Sequence, residues 1–115
     1  APVVVDGPLE AVRDVAHAAD VADGIAAVLL APSLRHDAYN VGWGRAATAA
    51  EVLTALTRAL PDTKIEHRPD EPSRWGALTR GPLSCARLRE DLGWTPRFDL
   101  ESGLRDYVTW LRSAR

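Results

Sequence analysis

The chain has 115 residues, 46% hydrophobic and 26% charged, which excludes collagenous, low-complexity and disordered classes and suits one hydrophobic core. A formal charge of −2 lacks the basic excess of a nucleic-acid-binding module, so no nucleic-acid partner is expected. A single cysteine, Cys85, rules out an intramolecular disulfide framework or a multi-cysteine metal site, and makes the reducing cytoplasm the expected compartment.

Val3-Val4-Val5 is a β-branched run closed by Asp6-Gly7-Pro8, which predicts a short strand running into a turn. Leu9 to Ala18 stays open: Val12 and Val15 suit a helix face, while Val12 to His17 also reads as a strand. Asp20 reads as an N-cap, with Val21, Ile25, Val28 and Leu29 forming the apolar stripe of a helix that ends at Ala31-Pro32. The uncharged stretch from Gly24 to Ser33 is too short to span a bilayer, so no membrane partner is expected. Ala38 to Val41 predicts a short strand before Gly42-Trp43-Gly44.

Thr48 and Glu51 fit a capping box that opens a helix with Val52, Leu53, Leu56 and Leu60 inward, ended by Pro61. Thr63 to Arg68 alternates around Ile65 as a strand. Pro69 to Pro82 is polar and punctuated by Pro and Gly, a loop with room for a brief strand near Ala77-Leu78. Ser84 to Leu92 predicts a helix closed by Gly93, and Leu100 to Arg112 a terminal helix with Leu104, Tyr107, Val108 and Leu111 inward. Short strands alternating with about four helices predict an α/β fold, α+β for the chain in isolation.

Few residues carry obvious chemistry. Gly42-Trp43-Gly44-Arg45-Ala46-Ala47 matches G-x-G-x-x-A, with Glu66 on the next strand. These are parts of a dinucleotide fingerprint, whose glycines admit a pyrophosphate. Bulky Trp43 and Arg45, and a capping box several residues too late, favour a structural strand-to-helix turn. His17, His36 and His67 have no metal-ligand spacing, no G-x-S-x-G elbow is present, and Cys85 reads as a structural thiol. Thirteen arginines stand against one lysine, Lys64. Arg13, Arg68, Arg74 and Arg80 lie off the clean helical faces, where a guanidinium suits bidentate phosphate binding.

Arg13-Asp14-Val15-Ala16-His17-Ala18-Ala19-Asp20-Val21-Ala22 resembles the R-D-[YF]-[VI]-H-V-x-D-[VL]-A segment of the extended short-chain dehydrogenase/reductases. These form the NAD-dependent epimerase/dehydratase family that includes UDP-galactose 4-epimerase. In order along the chain, Ala38-Tyr39-Asn40-Val41-Gly42-Trp43-Gly44 resembles the family's Y-N-[VIL]-G-x-G turn. Leu92-Gly93-Trp94-Thr95-Pro96 resembles L-G-W-x-P, and Leu100-Glu101-Ser102-Gly103-Leu104 with Val108 and Trp110 resembles the closing L-E-x-G-L…V-x-W helix.

The resemblance implies that residues 1–115 form the substrate-binding C-terminal segment of such an enzyme, without its N-terminal Rossmann domain. Neither T-G-x-x-G-x-x-G nor Tyr-x-x-x-Lys occurs in the chain. No catalytic, cofactor-binding or metal-binding residue is therefore expected within it. The intact enzyme would use NAD or NADP, and the isolated chain would be inactive. Arg13 matches an arginine that contacts the substrate diphosphate. Arg74 matches a second in the family's R-x-G-D loop, although Ala77 replaces the acid and Arg68-Pro69-Asp70 is a competing alignment. The implied ligand is a nucleotide-sugar-like molecule. Implied protein partners are the missing Rossmann half, another chain or a further copy in a homo-oligomer. A stand-alone module binding an anion or a partner, or part of an atypical reductase of a non-nucleotide substrate, are the other readings.

Overall fold

In a computed structural model the described residues are 2–72 and 80–114. Strand β1 (Val3–Asp6) pairs in parallel with β4 (Ile65–Arg68), Val3 lying opposite Ile65 and Asp6 opposite Arg68. The parallel arrangement requires a crossover, and the intervening chain supplies it. Within that crossover, β2 (Val12–Arg13) pairs antiparallel with β3 (Ala47–Thr48). Of the open stretch Leu9 to Ala18, only Val12–Arg13 forms a strand, shorter than the Val12 to His17 reading, and Ala18 already belongs to the next helix.

Four helices follow from local signals. Helix α1 (Ala18–Leu30) is capped by His17, whose side chain accepts from Ala19 N. Helix α2 (Ala49–Ala59) carries the expected capping box between Thr48 and Glu51. Helix α3 (Ala86–Leu92) ends on Gly93, whose φ of 67° is the left-handed geometry that glycine adopts without strain. Helix α4 (Leu100–Ser113) opens on a second capping box, Asp99 with Ser102. Helix α2 packs on α4 and α1 on α3, around the buried apolar side chains Ala47, Ala55, Leu88 and Val108.

Three expectations need correction. Asp20 is not the N-cap of α1 but lies inside its first turn, buried, and holds another segment of the chain. Ala38 to Val41 is not a strand, because no described strand pairs with it; the Asn40 amide instead donates to Ser84 O at 3.1 Å. Tyr107 and Leu111 on α4, and Ile25 and Leu29 on α1, are exposed rather than inward, since no described element covers those faces. The strand expected near Ala77-Leu78 lies outside the described residues.

The molecule is a slab, 51 × 33 × 18 Å, with a radius of gyration of 16.4 Å. A compact chain of this length would have a radius of about 13 Å.

Candidate functional site

Arg13 is half-buried on β2, where its guanidinium donates to the Val12 carbonyl at 2.9 Å. Arg80 N donates to the same carbonyl at 3.1 Å, which places the Arg80 backbone beside Arg13. Arg74 itself lies outside the described residues. Arg68, the competing position, is on β4 and its Nε lies 3.1 Å from Glu66.

Asp14, next to Arg13, organises this region, and the sequence reading assigned it no role. Its carboxylate accepts from Trp43 N at 2.8 Å, Gly44 N at 3.0 Å and Leu83 N at 3.1 Å. It thereby ties β2 to the 42–44 turn and to the segment before α3. Gly42 has no side chain because a Cβ there would sit 3.1 Å from the Asp14 carboxylate. The only signal for this was position, an acid beside the arginine of the R-D segment.

These bonds decide the nature of the G-x-G-x-x-A turn. Two amides that a pyrophosphate would need already donate to the Asp14 carboxylate, so they are not free to hold one. The turn does not fit a dinucleotide, and its structural reading stands.

The histidines are also tied into the fold. The Nδ1 of His17 accepts from Ala19 N, so its Nε2 donates, at 3.1 Å, to Asp106. The Nε2 of His67 donates to Gly7 O at 2.7 Å. His36 Nδ1 lies 2.8 Å from Asp91, which also accepts from the Tyr39 hydroxyl at 2.9 Å. Cys85 caps α3 with its thiol toward Gly42 O, and burial pushes that thiol up from its usual range, unlike an activated nucleophile. Among the described residues no group of three His, Cys, Asp or Glu side chains could hold a metal ion, and no helix is long and apolar enough to cross a membrane.

A parallel strand pair flanked by helices, with an Arg-Asp strand whose aspartate locks the following glycine turn, places the chain in the α/β class. The chain matches a C-terminal part of an extended short-chain dehydrogenase/reductase, among the sugar-nucleotide epimerases and dehydratases. It is 35% identical to UDP-glucose 4-epimerase 3 of Oryza sativa subsp. japonica, over 89% of this chain and 28% of that protein. It is 32% identical to a dTDP-glucose 4,6-dehydratase of Actinoplanes sp., over 99% of this chain and 34% of that protein.

Its fold superposes on UDP-glucose 4-epimerase of Thermotoga maritima, solved with UDP-glucose, with a TM-score of 0.80 and 26% identity over 98% of this chain and 35% of that one. For the Thermus thermophilus UDP-glucose 4-epimerase complex with NAD, the TM-score is 0.77 and the identity 30%, over 99% of this chain and 36% of that one. The chain thus spans about a third of the length of these relatives. No protein-family model matches it.

Proposed function

We propose that this chain is the substrate-binding C-terminal segment of an NAD(P)-dependent sugar-nucleotide epimerase or dehydratase, and that Arg13 and Arg74 hold the diphosphate of its substrate. The observation that carries the reading is the Arg13–Asp14 pair. Asp14 fixes the turn and the segment before α3 on the strand that presents Arg13, and Arg80, six residues after Arg74 in sequence, bonds to that same strand. Two guanidiniums brought to one diphosphate would neutralise it through charge-assisted bonds. The match to an epimerase solved with UDP-glucose supports this class of ligand.

Redox chemistry and the proton-transferring tyrosine belong, on this reading, to a Rossmann domain that is not in these 115 residues. The isolated chain binds and orients but does not turn over. Its other partners are that Rossmann domain and a further copy in a homo-oligomer, in the cytoplasm. Calorimetric titration with UDP and dTDP tests the binding role. Saturable binding weakened about tenfold or more by Arg13→Ala is expected, the usual cost of losing a charged hydrogen-bond donor. Binding indifferent to Arg13, or none at all, would overturn the assignment.

A further inference from the structure

A cavity of about 410 Å3 opens between the Trp43–Arg45 turn, the 83–86 segment and the Trp94–Pro96 loop, and the diphosphate role of Arg13 and Arg74 does not use it. Trp43 and Trp94 contribute half-buried indoles, Ser84 and Thr95 hydroxyls, and Arg45 and Arg89 guanidiniums. Arg13 is not in its lining.

Six arginines on this surface already have side-chain partners. Arg58, Arg68, Arg97 and Arg105 each lie against a carboxylate, and Arg13 and Arg87 donate to backbone carbonyls. Among the described residues, Arg45 and Arg89 have neither an ion pair nor a side-chain hydrogen bond; Arg35, Arg80 and Arg112 share that state, but only Arg45 and Arg89 line this cavity together. Two uncompensated like charges on one concavity repel each other, and a dianion between them removes that repulsion. The opposing acid is Asp14 behind Gly44, whose charge is already shared among three amides. Cys85, with its thiol pushed up by burial, stays neutral near pH 7 and adds no negative charge.

We propose that this cavity binds a phosphomonoester with a flat organic group, the phosphate on Arg45 and Arg89 and the organic group against the indoles of Trp43 and Trp94. A phosphomonoester carries nearly two negative charges at neutral pH, matching the two guanidiniums, and every aromatic base offers a face for stacking. The cavity lies in the volume range of small-ligand sites.

Uridine monophosphate and inorganic phosphate are the probes, titrated by calorimetry into the 115-residue chain with tryptophan fluorescence followed in parallel. Saturable uridine monophosphate binding is expected, tighter than that of inorganic phosphate, with a change in tryptophan emission. Arg45→Ala and Arg89→Ala should each weaken it about tenfold, with unchanged far-UV circular dichroism because both side chains are exposed. Arg112→Ala, an exposed guanidinium on α4 outside the cavity lining, should leave it unchanged. Equal affinity for the two probes would overturn the organic-group assignment. Absence of saturable binding at millimolar ligand, or retention in the Arg45→Ala/Arg89→Ala double variant, would overturn the site. Loss in Arg13→Ala with no effect of the other two would move the binding to the diphosphate arginine. The diphosphate reading fails separately, through its own UDP titration.

Discussion

Three aspartates do most of the long-range tying in this chain. Asp14 holds Trp43, Gly44 and Leu83. Asp20, 2% exposed, accepts from Arg97 N at 3.1 Å and Phe98 N at 2.9 Å, and Asp91 gathers His36 and Tyr39. Each carboxylate satisfies donors of a segment distant in sequence, a role that local spacing cannot disclose. Asp20 illustrates the difficulty, since an acid just ahead of a helical stripe reads as a cap. Asp91 also carries a pH signature. Its bond with His36 above all, and the Tyr39 hydroxyl with it, hold its carboxyl below the usual aspartate range against an opposing contribution from burial. A depressed carboxyl contributes stability above its unfolded value, near pH 4, and loses it as pH falls through the folded value. Asp91→Asn should therefore be less stable than wild type at pH 6 and should converge with it as pH falls below the ordinary aspartate range, as followed by urea midpoints; a constant offset at every pH would exclude this linkage.

Helices were the most legible elements, because a cap and an apolar period are local. The Thr48–Glu51 box and the Gly93 stop both appear where the residues predicted them. A strand needs a partner that sequence does not display, and Ala38 to Val41 has none among the described residues. Two helical glycines show how packing overrides propensity. A Cβ on Gly24 of α1 would lie 2.5 Å from Val41 Cγ1 and 3.3 Å from the Trp94 ring. On Gly103 of α4 it would meet the nearest atom, His17 Cδ2, at 3.5 Å, ordinary contact. Alanine gains about 1 kcal/mol over glycine in a helix interior. Gly103→Ala should be neutral or stabilising by up to about 1 kcal/mol, whereas Gly24→Ala should be destabilising by about 1–3 kcal/mol because overpacking outweighs the gain. Thermal melts of the two variants decide it, and a raised melting temperature for Gly24→Ala would contradict the packing argument.

For the whole molecule the exposed area is 8260 Å2, against about 6,200 Å2 for a compact monomer of this mass. Leu29 and Leu30 on α1 are 77% and 83% exposed, and Val3, Val4, Tyr107 and Trp110 add further apolar surface. Apolar area in this amount predicts dye binding and concentration-dependent association. Sedimentation velocity of the 115-residue chain should show mass rising with concentration, and Leu29→Glu/Leu30→Glu should lower that association without lowering the melting temperature. A monomer at all concentrations that does not bind 8-anilinonaphthalene-1-sulfonate would contradict it. Sequence by itself determined the four helices, the Thr48–Glu51 box and the Gly93 stop, the α/β class, Arg13 as the candidate anion contact and, through the order of its motifs, the family, because capping, periodicity and motif spacing are properties of neighbouring residues. Only the tertiary structure decided that the glycine turn serves Asp14 rather than a cofactor, that Asp20 is a buried tie, that Arg45 and Arg89 share one cavity, and which apolar faces stay uncovered. Those outcomes depend on which distant segments meet, and burial and hydrogen-bond partnership exist only once they do.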